Sequence, residues 1–170
     1  MGCRYDWKDG QQTVQSGISM IRVYESEAAA AEWFAAATRN KTAEEMQDEM
    51  DQISRKMDQS EELNTELKKS AAKSLLAMVD SDAISFEDVA EVGDQARVSN
   101  DGTVYVRSNN MTFMVSAYKG ATEPPLEMRG VEIKQVVKVA KESAKKWAIE
   151  TAPQRKTDGV RLARAITKAL

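Results

Sequence analysis

The chain has 170 residues, of which 42% are hydrophobic and 30% charged, enough apolar content to bury a core without disulfides. It has no histidine and a single cysteine, Cys3, which excludes an intramolecular disulfide, a Ser-His or Cys-His nucleophile and any imidazole metal site. The net charge of -3 is unevenly spread: acids dominate from Glu25 to Glu66, and Val131 to Leu170 is basic. Water-facing sides of amphipathic helices account for this. With Trp147 as its one aromatic, the basic part carries no nucleic-acid signature.

In chain order, residues 1–16 read as a flexible polar tether, with Tyr5 and Trp7 as its large apolar groups. Residues 17–170 read as a single α+β domain. A strand runs from Gly17 to Tyr24, with Ile18, Met20 and Arg22 alternating against Ser19, Ile21 and Val23. Ser26 is an N-cap, after which Ala30, Trp33, Phe34 and Ala37 share a helical face. Thr42 and Glu45 form a capping box that opens a helix with the apolar stripe Met46, Met50, Ile53 and Met57. A core or helix-helix seam is the expected role of that stripe, ahead of soft-metal ligation. Ser60 restarts a helical pattern, Leu63 to Met78.

From Ile84 to Lys119, strand-like runs are punctuated at Gly93-Asp94, Asn100-Asp101-Gly102 and Asn109-Asn110, which predicts an antiparallel meander. Pro124-Pro125 marks a loop. A helix follows with Ile133, Val136, Ala140, Ala144 and Trp147 on one face, and Pro153 is expected to end it. Thr157 or Asp158 then caps a last helix bearing Leu162, Ala163 and Ile166. The segment 131–150 is the expected cover of the meander.

Candidate chemistry is sparse. Asp80, Asp82, Glu87 and Asp88 gather oxygen ligands but miss the calcium-loop spacing, so no metal and no cofactor is expected. Asp94 reads as an Asx turn, and the isolated glycines form no phosphate loop. No catalytic residue emerges, and the chain is read as non-enzymatic. No apolar run approaches the roughly 18 residues needed to span a bilayer, and Met1 to Asp6 lacks the apolar segment of a signal peptide. Gly2-Cys3 has the small-residue-then-cysteine form of a bacterial lipoprotein junction, which makes Cys3 the candidate lipid anchor and the sole route to a membrane.

The segments Met20 to Ala29, Val92 to Ala96 and Gly102 to Asn110 resemble a loosely defined group of small bacterial cell-envelope proteins, many of them lipoproteins. The resemblance implies a periplasm-side location in the cell envelope and a curved antiparallel sheet flanked by helices, similar to the PsbP-like α/β/α sandwich. It carries over no catalytic residue. The fold expected is therefore α+β, an antiparallel β-meander with an added N-terminal strand and flanking helices. The function expected is an envelope-associated module that binds a protein partner. The alternative is a small-molecule carrier or sensor with Trp33, Phe34, Tyr105 and Trp147 as pocket walls.

Overall fold

The computed structural model describes residues 2–59, 83–122 and 136–170. The chain divides into two compact units, residues 1–39 with 86–170, and residues 40–85, where the sequence reading places one domain over 17–170.

The first unit is α+β. Its strands are β1 (Cys3–Asp9), β2 (Gln12–Val23), β3 (Phe86–Asp88), β4 (Gln95–Ser99), β5 (Val104–Ser108) and β6 (Met111–Ala121). They form one antiparallel sheet in the order β1-β2-β6-β5-β4-β3, so the meander expected between Ile84 and Lys119 is present and β2 joins it beside β6.

The tether is replaced by strand. Residues 3–16 fold as β1 and the first part of β2, paired from Cys3 with Ile18 to Asp9 with Gln12 around Gly10 at φ 62. The hairpin shows little hydrophobic alternation because β1 is exposed wherever its burial is described. Within β2 the expected alternation also fails. Ser19 faces Met114 and Arg22 faces Thr112, so Met20 and Ile21 together oppose one residue in a bulge, with Met20 at φ 53. The extra residue lets Ile18 and Ile21, three apart, both pack on the core.

That core lies on one face of β4, β5 and β6, where Ala96, Val98, Val104, Val106, Phe113 and Val115 meet Val92 and Ala163. Ala163 belongs to α3 (Val136–Ala169), a 34-residue helix with Pro153 inside it. Two expectations are corrected here. Pro153 does not end the helix: the chain stays helical through it and forgoes only the N–H that would have bonded the Ile149 carbonyl, while the Thr151 and Thr157 hydroxyls donate to the carbonyls of Trp147 and Pro153. Among the described residues the helical side chains on that core are Val160, Leu162, Ala163 and Ile166, beyond the 131–150 segment expected to cover the meander, whose described part meets β6 through Trp147 against Tyr118. The glycine pair Gly102 and Gly159 lets the helix approach the β4–β5 turn, Gly159 lying against the Gly102 carbonyl and the Val104 side chain.

On the opposite face, α1 (Glu27–Ala37) buries Ala30 and Phe34 and lies against β5 and β6. Ser26 caps it as expected, accepting from the Ala29 N–H at 3.2 Å. Arg97, which leaves β4 on the other side from Ala96 and Val98, donates to the Thr38 carbonyl at 2.6 Å and so ties the end of α1 to the sheet.

The second unit contains α2 (Ala43–Gln59), and its capping box is formed: Thr42 N–H to Glu45 at 2.9 Å and Glu45 N–H to Thr42 at 3.1 Å. Of its stripe, Met46 is buried, Met50 and Met57 are half-buried and Ile53 is exposed. The helical pattern over 60–79, the acids Asp80 and Asp82, and Pro124-Pro125 lie outside the described residues.

Candidate functional site

The sequence-predicted wall residues do not converge. Trp33 is half-buried beside Tyr24, their ring centres 6.1 Å apart, with the Arg22 guanidinium 5.2 Å from its ring. Phe34 is buried beneath α1. Tyr105 meets Phe86 edge-on at 5.2 Å, and Trp147 meets Tyr118 edge-on at 6.0 Å. Neither of the two cavities described below is lined by any of the four. Each aromatic is used in packing one element onto another. Cys3 is exposed, its thiol free, at the start of the edge strand β1.

The larger cavity is an open groove of about 850 Å³ between the β3 edge and the C-terminal half of α3. Helical spacing sets one wall: Lys156, Val160, Arg164 and Lys168 recur every four residues and so share a face, with Arg161 beside them. Val89, Val98 and Val160 provide apolar lining, and Glu87 and Asp88 form the strand side. The cations are unequally committed. Lys156 pairs with Glu87 at 2.6 Å, and Arg161 lies 3.6 Å from Asp158. Arg164 donates only to the Ala90 carbonyl, at 3.2 Å, and Lys168 is exposed, so among the described residues neither of these two has an acidic partner. Four cations face two acids, and the groove carries a positive excess at the negative end of the helix dipole. Beyond it β3 ends the sheet with no further strand beside it among the described residues, although the Phe86 carbonyl accepts from Arg97 at 3.4 Å.

In the sequence these cations belong to the expected solvated faces of amphipathic helices. The usable signal was the four-residue recurrence through Val160, which sets an apolar residue inside a charged row. Asp94 also does more than the local turn expected of it. Its carboxylate accepts from the Asn109 N–H at 2.6 Å and lies 3.4 Å from Arg107, so it holds the neighbouring β5–β6 turn, while Gly93 at φ 54 brings the backbone against Arg107.

At the opposite end of β5, Asp158 is buried and accepts from the Lys119 N–H at 2.8 Å and from Gln154 at 3.0 Å, closing the edge of β6 where β5 stops. Among the described residues no three acidic or cysteine side chains come close enough to hold a metal ion. The displaced ionisations move away from neutrality. Burial, with a smaller push from Asp101, raises the Tyr105 hydroxyl, and burial raises Tyr118, with Asp158 adding to the effect and Arg155 opposing it. The hydrogen bond and charge of Asp6 raise Arg4.

No family model, curated protein or solved structure matches the chain.

Proposed function

We propose that the chain is a non-enzymatic binding module that takes an extended acidic segment of a protein partner into the groove between β3 and α3. The observation that carries this reading is the pairing of an unextended sheet edge with two cations, Arg164 and Lys168, that have no acidic partner among the described residues. A peptide strand added to β3 gains backbone hydrogen bonds, and its alternate side chains point toward the helix, where acids suit the cations.

The probe is a labelled peptide of alternating Glu and Val, followed by fluorescence anisotropy. Binding should weaken with salt, fall in R164E/K168E, and vanish when alternate peptide amides are N-methylated, because methylation removes the strand-pairing donors. Equal binding by the methylated peptide, or by the double variant, sinks the proposal.

Attachment to the cell envelope through Cys3 is a separate part of the proposal and rests on an exposed thiol. With strand pairing beginning at Cys3, acylation would hold the β1 edge directly against the bilayer with no intervening linker. Mass spectrometry of the protein from its own cells tests it, since an unmodified Cys3 removes the anchor.

A further inference from the structure

A second cavity, about 400 Å³, lies where the β1–β2–β6 arm meets α3 and the β4–β5 turn. Strand pairing sets its floor: Tyr118 opposes Gln15, and Ser116 opposes Gly17, which opposes Arg4, so Gln15, Ser116, Tyr118 and Arg4 share one face of the sheet. Over that face lies Arg155 of α3. Its Nε donates to the Thr151 hydroxyl at 2.9 Å, and its guanidinium carbon stands 5.3 Å from the centre of the Tyr118 ring. Those two contacts fix the guanidinium plane, and the two terminal nitrogens have no protein acceptor among the described residues.

The other charges at the cleft are already engaged. Arg4 gives two hydrogen bonds to Asp6, at 2.8 and 3.0 Å. Asp101 accepts from the Ser99 hydroxyl and from the Thr103 N–H. One unspent planar fork, with Asp101 nearby to repel a second negative charge, matches a single carboxylate better than a dianion. The Gln15 amide and the Ser116 hydroxyl, neither bonded to protein among the described residues, add donors on the sheet side. The volume lies within the range of small-molecule sites.

We infer that this cleft binds a small monocarboxylate through the terminal nitrogens of Arg155. The site is separate from the peptide groove and goes beyond the function proposed for it.

The test is an amide-resolved NMR titration of the full chain with sodium benzoate, with benzamide and inorganic phosphate as parallel arms at constant ionic strength. Benzoate should shift the amides of Thr103, Ser116 and Tyr118 saturably. R155K keeps the charge but loses the fork and should weaken binding by about tenfold or more. S116D sets a carboxylate in the cleft from an exposed position and should abolish binding, which keeps the test decisive if R155K fails to fold. K168Q, in the other groove, should leave it unchanged. The inference is overturned by an unsaturable titration, by benzamide matching benzoate, by phosphate binding more tightly than benzoate, or by native-strength binding in R155K or S116D.

Discussion

The meander and the N-terminal hairpin belong to the same sheet yet are held by different physics. In β4, β5 and β6 one face is dry: Val104, Val106 and Val115 are fully buried and Phe113 nearly so. In β1, Tyr5 is 66% exposed and Trp7 50%, and the strand is held chiefly by its ladder to β2. A sheet can thus carry strands that contribute little burial, provided a neighbour supplies the backbone partners and the turn closes.

The strongest way to break this comparison is to empty the dry face. Phe113→Ala should cost about 3–5 kcal/mol in denaturant melts, and a loss under about 1 kcal/mol would mean that the meander is no better packed than the hairpin. The two turns come next. Gly102 sits at φ 90, where a Cβ would lie 2.4 Å from the Arg155 Cβ, whereas Gly10 at φ 62 has nothing within 4 Å. Gly102→Ala should cost more than about 2 kcal/mol, because α3 must shift as well as the backbone being strained, and Gly10→Ala only the conformational part of about 1 kcal/mol. Equal losses in thermal melts would show that α3 does not press on the β4–β5 turn.

A smaller effect separates the regions by pH. Tyr105 holds its proton above the ordinary tyrosine value of 10.0, chiefly because it is desolvated. Above about pH 10 the unfolded chain releases that proton while the folded chain retains it, so stability is intact below that pH and declines as pH rises through the folded value. Tyr105→Phe should flatten the alkaline fall in melting temperature; an unaltered profile would assign the fall to other groups. Smallest of all, Trp7→Ala should change stability by about 1 kcal/mol or less, and a larger loss would reveal burial of β1.

Legibility in the sequence followed the same division. The meander was readable because Val104 and Val106, then Phe113, Val115 and Ala117, alternate between turn residues, and the caps at Ser26 and Thr42 were readable because they act locally. β1 was not readable, since a strand with no buried face has no period to detect. The Met20 bulge hid the common face of Ile18 and Ile21. Pro153 misled for a different reason, namely that tertiary packing overrode a local preference. The basic groove needed the topology, which alone sets β3 beside α3. The arginine of the cleft needed the strand register, which alone sets Tyr118 beneath it.

Pro153 gives α3 an uneven grip along its length. The Ile149 carbonyl has no amide at position 153 to receive, so the hydrogen-bond ladder has a weak rung just before the segment that clamps the core through Val160, Ala163 and Ile166. Local opening should therefore start on the N-terminal side of that rung, and amide exchange over residues 144–150 should outpace that over 160–166. The helix is continuous in shape, but the exchange expected of it is not uniform: the half after Pro153 should open with the sheet, and the half before it should open first.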